Sequence, residues 1–233
     1  MNQIPLQKKK KNQIHNKLYN KQHTLISMDE LLNKIGQLNN TSKADYTVVL
    51  GRTLTTCIEM LRDRGYNVTN DCRTIGDISY KIEHAEFILC GENASGETTL
   101  VYFHNEERIG VKHLRMWSEQ NSNCNIIIVS LEGPTAFTKK EAEQSYKNVQ
   151  FFIFKDVCKN ITKHSLVPKH EKVDPSSLPF RCGSDDEWPK LYTSDPIAQY
   201  YNFKPGDLIR ITRTLGYPEP VYYYRLVCQA SNS

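Results

Sequence analysis

The sequence predicts an α/β domain followed by a small α+β domain. From about Asp45 to Lys155, apolar residues switch between helical and strand spacing, and the elements follow the order β-α-β-α-β. This order implies right-handed crossovers onto a partly parallel sheet with flanking helices. After Lys155 the residue pattern changes, because eight prolines separate short predicted elements. We therefore divide the chain into residues 1–41, 42–157 and 158–233.

The first long helix is predicted by apolar residues that recur at helical spacing: Leu50, Leu54, Cys57, Ile58 and Leu61. Gly65 then stands where a left-handed C-terminal residue belongs, and basic side chains precede it.

The body of the α/β domain is predicted from further runs. Thr138, with Glu141 three positions on, has the spacing of a capping box and predicts the start of a helix. The remaining predicted elements are strands Glu86–Cys90, Thr98–His104, Asn125–Leu131 and Val149–Phe154, and the helix Val111–Glu119.

The C-terminal domain is predicted from its turn chemistry. Asp195 and Pro196 form a helix start, because the carboxylate can cap and the proline lacks an N–H that is not needed there. The helix Pro196–Tyr201 should stop near Asn202, and residues 204–207 fit a type II turn. Strands Leu208–Arg213 and Val221–Cys228 should pair as a hairpin.

Charge is concentrated in the tail. Residues 1–41 are rich in Asn, Gln and Lys, and we predict that they form a disordered basic tail. Six lysines precede the first acidic residue, and without them 24 basic residues face 26 acidic ones. A body so close to neutrality argues against autonomous nucleic-acid binding. The run Lys8–Lys11 fits either a nuclear import signal or a solvated tail.

Composition argues against metals, membranes and secretion. The seven cysteines are scattered without a C-x-x-C pair, which disfavours a structural metal and fits a reducing, intracellular compartment. No apolar run approaches the roughly 20 residues that cross a bilayer. The first residues lack the apolar stretch of a signal peptide. We predict no metal and no cofactor.

Two kinds of enzyme site can be weighed on the sequence. Residues 91–98 have the glycine spacing of a phosphate-binding loop, but Glu97 stands where lysine is required and a strand follows, so a hairpin turn is predicted. A metal-dependent nuclease needs clustered carboxylates. The strands Thr98–His104 and Asn125–Leu131 contain no Asp or Glu. We therefore predict that the chain is not an enzyme.

Two stretches are more specific than these patterns. Residues 160–170, Asn-Ile-Thr-Lys-His-Ser-Leu-Val-Pro-Lys-His, and residues 189–201, which continue through Lys204–Asp207 and both last strands, resemble the fifth-largest subunit of eukaryotic nuclear DNA-directed RNA polymerases and its shorter archaeal counterpart. Asp63-Arg64-Gly65-Tyr66 and Ile109-Gly110-Val111-Lys112 match landmarks of the eukaryotic N-terminal domain more loosely. Phe180–Trp188 and Leu215–Pro220 depart from the family pattern.

The resemblance implies a non-catalytic polymerase subunit in the nucleus. Its N-terminal jaw domain would project towards downstream DNA, and its C-terminal assembly domain would dock on the largest subunit. The implied docking residues are Leu166, Val167, Pro168, Lys169, His170, Asp195, Pro196, Tyr200, Arg210 and Arg225. The implied DNA-proximal residues are Pro134, Thr135, Lys139 and Lys140.

Partners implied in this way are the largest subunit, other polymerase subunits, general transcription factors and, weakly within the complex, downstream DNA. For Asp195, Pro196, Pro205 and Gly206 a role in shaping the module is favoured over direct contact. Two alternatives stay open: a free-standing transcription adaptor that borrows the fold, and a divergent nuclease on the same scaffold.

Overall fold

The computed structural model describes residues 46–70, 75–104, 108–178, 188–214 and 219–229. The predicted tail 1–41 lies outside the described residues, as do most of the unusual segment 180–188 and residues 215–218 of the last loop. The described residues divide into two units. The first takes the chain up to Thr55 and residues Asn67–Cys158, and the second takes Thr56–Tyr66 and the chain from Lys159.

The first unit is built on a five-stranded sheet in the order β1-β2-β3-β4-β5. β2 and β3 are antiparallel, whereas β3, β4 and β5 run parallel. The predicted partly parallel sheet is therefore confirmed. The strands are Tyr66–Thr69 (β1), Leu89–Asn93 (β2), Thr98–Phe103 (β3), Cys124–Ser130 (β4) and Val149–Ile153 (β5).

The three longest helices of this part of the chain were predicted, but a strand at residues 66–69 and helices at residues 75–83 and 154–157 were not. β1 has only four residues, and none of them is fully buried. The helix at residues 75–83 has two buried isoleucines, Ile78 and Ile82, which are too few to stand out as a pattern. The helices are Tyr46–Asp63 (α1), Ile75–Glu83 (α2), Val111–Gln120 (α3), Ala136–Ser145 (α4) and Phe154–Val157 (α5).

One face of the first sheet packs on Trp117 of α3, which is 1% exposed. Its ring lies 5.3 Å from that of Tyr102 and meets His104 edge-on at the same centroid distance. Aromatic side chains bury more apolar area than any others, so this tryptophan dominates the local packing. Ile126 and Ile128 of β4 complete the contact.

The start of α4 differs from the predicted capping box. The cap is Thr135, whose hydroxyl oxygen accepts a hydrogen bond from the Thr138 N–H at 3.2 Å, so the helix begins at Ala136. The prediction of Thr138 as the first residue, paired with Glu141, is wrong. Thr138 instead turns inwards, fully buried, and donates to the Ile109 carbonyl oxygen at 3.0 Å.

The predicted phosphate-loop alternative is a hairpin turn, as the sequence favoured. The side-chain oxygen of Asn93 accepts hydrogen bonds from the Ser95 and Glu97 N–H groups at 3.0 and 2.9 Å. Gly96 adopts φ 79°, a conformation that disfavours residues with a Cβ. β3 follows directly, so no helix N-terminus faces this loop.

The second unit contains a four-stranded sheet in the order β6-β8-β9-β7, and the helix α6 packs on it. β8 pairs antiparallel with both β6 and β9, and β7 runs parallel to β9. The elements are Lys169–Val173 (β6), Lys190–Tyr192 (β7), Pro196–Tyr201 (α6), Leu208–Arg213 (β8) and Val221–Cys228 (β9).

The helix α6 and the strands β8 and β9 lie where the sequence predicted them, whereas β6 and β7 were not predicted as strands. The Asp195 carboxylate accepts from the Ile197 N–H at 2.8 Å, and α6 ends at Asn202 in the left-handed conformation. Gly206 has φ 91°, and the Asp207 N–H donates to the Lys204 carbonyl oxygen at 2.9 Å, which agrees with the predicted type II turn. The α+β organisation of this part is therefore confirmed.

Candidate docking surface

The segment before β6 is a compact turn that presents Leu166 to solvent. The side-chain oxygen of Asn160 accepts from the Thr162 N–H at 2.9 Å and starts the short 3-10 helix Ile161–Lys163. The ring Nδ1 of His164 then accepts from the Leu166 N–H at 3.2 Å. Leu166 remains 74% exposed at the end of this turn, so its apolar side chain is accessible to a partner.

β6 enters the second sheet directly after Pro168 and forms one of its edges. Proline is tolerated beside an edge because no ladder hydrogen bond is lost there. The edge position expected from Pro168 is thus confirmed. An edge strand leaves one row of backbone groups for a strand of another chain.

Two predicted docking residues lie on the sheet face that α6 covers. Residues opposite each other in neighbouring strands share a face. His170 is opposite Ile211, which is opposite Tyr223, and Ile209 is opposite Arg225. Both isoleucines belong to the core that packs on α6. His170 and Arg225 therefore lie at the margins of this covered face.

Two other predicted residues, Lys169 and Arg210, lie on the opposite face. Arg210 is opposite Glu171 on β6 and donates to that carboxylate at 3.1 Å. The Lys169 ammonium pairs with the same carboxylate at 2.7 Å. The Arg210 guanidinium also lies 5.4 Å from the centre of the Tyr222 ring. The sequence-based list thus contains residues of both faces, which one flat partner surface cannot contact together.

The electrostatic surroundings of His170 explain why its proton affinity is low. Partial burial lowers the pKa of His170, and the nearby Arg225 and Arg213 guanidinium groups lower it further. The Asp195 carboxylate and a hydrogen bond to the Pro168 carbonyl oxygen, at 2.7 Å, act in the opposite direction. Because a carbonyl oxygen only accepts, the ring nitrogen Nδ1 carries the hydrogen in this pair.

We expect the free energy of unfolding to fall at acid pH through His170. Its pKa in the folded chain lies below the unfolded value of about 6.5, so the unfolded chain binds more protons as pH drops through that value. Stability is therefore lost from just above pH ~6.5 down to the folded pKa. His170→Gln removes this contribution. Urea midpoints at neutral and mildly acidic pH should differ less for the variant, and equal differences would contradict the assignment.

Tyr200, a predicted docking residue, is only 4% exposed. Its hydroxyl donates to the Asp63 carboxylate at 2.7 Å and accepts from the Asn160 side-chain amide at 3.1 Å. Burial and the adjacent Asp63 raise the pKa of Tyr200. The geometry gives this side chain partners inside the second unit, so its direct contact with another subunit stays a prediction.

Arg64 is a site residue that the sequence marked only as a landmark of the family. Its Nε donates to the Tyr200 carbonyl oxygen at 2.7 Å, and its Nη2 donates to the Gln199 carbonyl oxygen at 2.9 Å. These carbonyl groups lie at the C-terminal end of α6, where a cation is favoured by the helix dipole. Burial lowers the pKa of Arg64 to about 10, so it stays charged at neutral pH.

A second group of contacts holds the turn before β6. The Asn160 side-chain amide donates to the Glu59 carboxylate at 2.8 Å, and the Lys163 ammonium pairs with the same carboxylate. Burial is the largest single influence on the pKa of Glu59 and raises it. The hydrogen bonds from Asn160 and Lys163 and the nearby positive charges together outweigh burial, so the pKa of Glu59 is lowered. The end of α1 therefore supports both α6 and the turn that carries Leu166.

The predicted DNA-proximal residues surround the start of α4 in the first unit. Lys139 and Lys140 are exposed, and so is Phe137, at 66%. The Thr135 hydroxyl lies 2.8 Å from that of Thr138, whose only hydrogen is donated to a backbone carbonyl. Thr135 must then be the donor in their hydrogen bond. Its hydroxyl hydrogen is used inside the protein, which leaves lysine ammonium and backbone N–H groups for a phosphate.

In the described part of the chain, no three His, Cys, Asp or Glu side chains gather closely enough to hold a metal ion. The same residues include no helix with the length and apolar character needed to cross a membrane.

Comparison with known proteins bears on the same elements. Residues 159–227, which include the second sheet except its last residue, Cys228, match the family described as RNA polymerase Rpb5, C-terminal domain. This part of the chain therefore resembles an Rpb5 C-terminal domain, and that name is used below for residues 159–227. The resemblance drawn from residues 160–170 and 189–201 is thereby confirmed.

Relatives extend the similarity beyond the Rpb5 C-terminal domain. "DNA-directed RNA polymerases I, II, and III subunit RPABC1" of Caenorhabditis elegans is 26% identical over 203 residues, covering 78% of this chain and 96% of the relative. The Dictyostelium discoideum protein of the same name is 28% identical over 171 residues, covering 68% and 86%. "DNA-directed RNA polymerases IV and V subunit 5B" of Arabidopsis thaliana is 27% identical, covering 74% and 86%.

Alternate residues along a strand lie on the same face of its sheet, and the predicted docking residues were chosen without this signal. Counting alternate positions along β8 and β9 places Arg213, Tyr223 and Arg225 together on the α6-covered face of the Rpb5 C-terminal domain. Arg213 and Tyr223 were not among the predicted docking residues. The Arg213 guanidinium is near enough to His170 to lower its pKa, and Tyr223 lies on the same face one strand further away, so we add both residues to the candidate docking surface.

Proposed function

We propose that this chain is a non-catalytic subunit of a nuclear DNA-directed RNA polymerase and acts in transcription. The observation that carries the proposal is the Rpb5 C-terminal domain at residues 159–227. It is supported by relatives named as polymerase subunits, one of which is covered over 96% of its length. Catalysis would then belong to other subunits, and this chain would contribute a framework.

The Rpb5 C-terminal domain docks on the largest subunit in this proposal. Leu166 and Arg225 are exposed and His170 is half-buried, so these predicted residues remain accessible for docking. The β6 edge supplies backbone groups beside them. Lys169 is exposed on the opposite face of the sheet and is not needed for the same contact. Asp195 caps α6 and Tyr200 is buried, so we assign these two residues to positioning of the surface rather than to contact.

The first unit forms the jaw near downstream DNA in this proposal. The loop that carries Pro134 and Thr135 leads into α4, whose first backbone N–H groups and exposed Lys139 and Lys140 suit phosphate contacts. Such contacts position the duplex without reading its sequence, and they are weak outside the assembled enzyme, since the body of the chain is nearly neutral.

The proposal is tested by recovering the tagged chain from its native cells and identifying what remains bound after a high-salt wash. Recovery of the two largest polymerase subunits is the expected result. If the folded bait recovers no polymerase subunit, the chain is a free-standing adaptor and the proposal fails. The particular largest subunits recovered distinguish a shared subunit from one dedicated to a single polymerase.

We expect Arg225→Glu to weaken this recovery more than Lys139→Glu does. Arg225 lies at the docking surface, where a reversed charge disrupts side-chain contacts, whereas Lys139 lies on α4 in the other unit. The fraction of largest subunit retained by each variant is the measurement. A loss of tenfold or more for Arg225→Glu and about twofold or less for Lys139→Glu is expected. Equal losses would remove the surface assignment.

A further inference from the structure

Two arginines at the margin of the α6-covered face have no carboxylate partner within ion-pair distance among the described residues. Arg213 is exposed, and its guanidinium lies 5.1 Å from the centre of the Tyr223 ring. Arg225 is also exposed, and its Nη1 donates to the Lys190 carbonyl oxygen at 3.1 Å. Both guanidinium groups are therefore oriented by neutral partners and keep donors for a ligand.

Three other basic side chains of the same sheet are neutralised. Lys169 and Arg210 share the Glu171 carboxylate, and Lys172 pairs with the Asp207 carboxylate at 2.6 Å. Acidic residues of the sheet thus serve three cations and leave Arg213 and Arg225 without such a partner in the described chain. This contrast within one small domain singles out the two arginines.

The spacing of the two arginines defines the shape of their ligand. Arg213 is opposite Val221, and Tyr223 and Arg225 follow on the same face of β9. With about 3.3 Å per residue along a strand and about 4.8 Å between strands, the Arg213 and Arg225 backbones are separated by about 14 Å, with Tyr223 between them along β9. An extended peptide with two acidic residues four positions apart has the same separation. Guanidinium groups bind carboxylates through paired hydrogen bonds.

We propose that Arg213, Tyr223 and Arg225 form a carboxylate-binding patch that recognises an extended acidic segment of the subunit on which this domain docks. The inference rests on the proposed function and adds the chemistry of the partner segment. Tyr223, 42% exposed, has the Arg213 guanidinium 5.1 Å from its ring centre and offers its ring to an apolar residue between the two acids.

A peptide fits this patch better than a nucleic acid does. A nucleic-acid backbone carries one charge at every nucleotide and needs a continuous basic track. Here the neighbouring Asp195 and Glu171 carboxylates interrupt any such track on either side of the sheet. Two isolated cations suit a ligand with two isolated acids.

The experiment compares wild-type chain with the double variant Arg213→Gln/Arg225→Gln and with the control Arg52→Gln, an exposed arginine outside the patch. Each full-length chain is titrated with a fluorescein-labelled extended peptide whose two glutamates lie four positions apart. The same peptide with glutamines and a single-stranded oligonucleotide are the comparison probes. Recovery of polymerase subunits from native cells is measured for the same three chains.

We expect the double variant to lose at least about tenfold in affinity for the glutamate peptide, while Arg52→Gln stays within about twofold of wild type. Polymerase recovery should fall in parallel. Equal binding of the glutamate peptide by wild type and double variant would overturn the inference, as would tighter binding of the oligonucleotide than of the peptide. Unchanged thermal unfolding of the double variant would show that the loss is not misfolding.

The two proposals fail in different ways. Polymerase recovered equally by wild type and double variant would leave the proposed function standing and overturn the carboxylate patch. If wild-type chain recovers no polymerase, the proposed function fails, and the peptide titration alone decides whether the patch binds carboxylates. A charge-reversed pair, Arg213→Glu/Arg225→Glu, should prefer a lysine peptide of the same spacing, and a failure to do so would also count against the patch.

Discussion

Arg64→Ala should lower the free energy of unfolding of the second unit by about 3 kcal/mol, since hydrogen bonds to charged groups contribute about 1.5–3 kcal/mol each. The substitution removes both hydrogen bonds to the carbonyl groups at the end of α6 and the positive charge beside them. Urea unfolding followed by circular dichroism measures the loss. Arg64→Lys keeps the charge without the two-pronged geometry, and we expect it to lose about half as much.

The matched control is Arg62→Ala, because Arg62 is an exposed arginine two positions earlier in α1. A surface substitution of this kind changes stability by no more than about 0.5 kcal/mol. If Arg62→Ala and Arg64→Ala cost the same, the two hydrogen bonds do not stabilise α6. Because α6 packs on the face that carries the proposed docking surface, we also expect Arg64→Ala to reduce recovery of polymerase subunits, although Arg64 is not itself a predicted docking residue.

Trp117→Ala should lower the free energy of unfolding of the first unit by about 3–5 kcal/mol, the usual range for large aromatic residues in a core. The indole is 1% exposed and packs against Tyr102 and His104, so its removal leaves a cavity that these rings cannot close. Phe137→Ala is the control, since Phe137 is 66% exposed.

The denaturant midpoints of the two variants show whether the loss of stability comes from removing a buried ring or from removing any aromatic ring. We expect the Phe137 variant to stay within about 0.5 kcal/mol of wild type. A comparable loss in both variants would show that Trp117 does not organise the core on this side of the sheet. Phe137→Ala has a second use, because it leaves the lysines of α4 in place while it removes the exposed ring beside them.

Local sequence signals predicted the second unit best. Asp195, Asn202 and Gly206 each act through a turn or cap whose chemistry is complete within a few residues, and each has the predicted conformation. α4 shows where such signals compete. Thr135 and Thr138 both offer a capping hydroxyl, and only the tertiary hydrogen bond from Thr138 to the Ile109 carbonyl oxygen decides between them.

The predicted docking residues could be chosen from the sequence, but the sequence did not show on which face of the sheet each one lies. Strand parity separates Lys169 and Arg210 from His170 and Arg225, yet which parity is exposed depends on where α6 packs. The partners of Arg64 and Tyr200 lie more than a hundred residues apart along the chain, and no local pattern announces such pairs. Arg213 was missed because it stands out only in the folded structure, where no carboxylate among the described residues lies within ion-pair distance of it.

The last turns of α1 belong to the unit whose other residues begin at Lys159. A gene fragment that encodes only the chain from that point onward would therefore leave out Arg64, Asp63 and Glu59, and the end of α6 would lose its cation. A protein that consists of the C-terminal domain alone would need water, a basic residue of its own or a partner subunit at the carbonyl groups that end this helix. The compact unit that contains the C-terminal domain thus includes a segment of chain about a hundred residues upstream of the boundary that the sequence suggests.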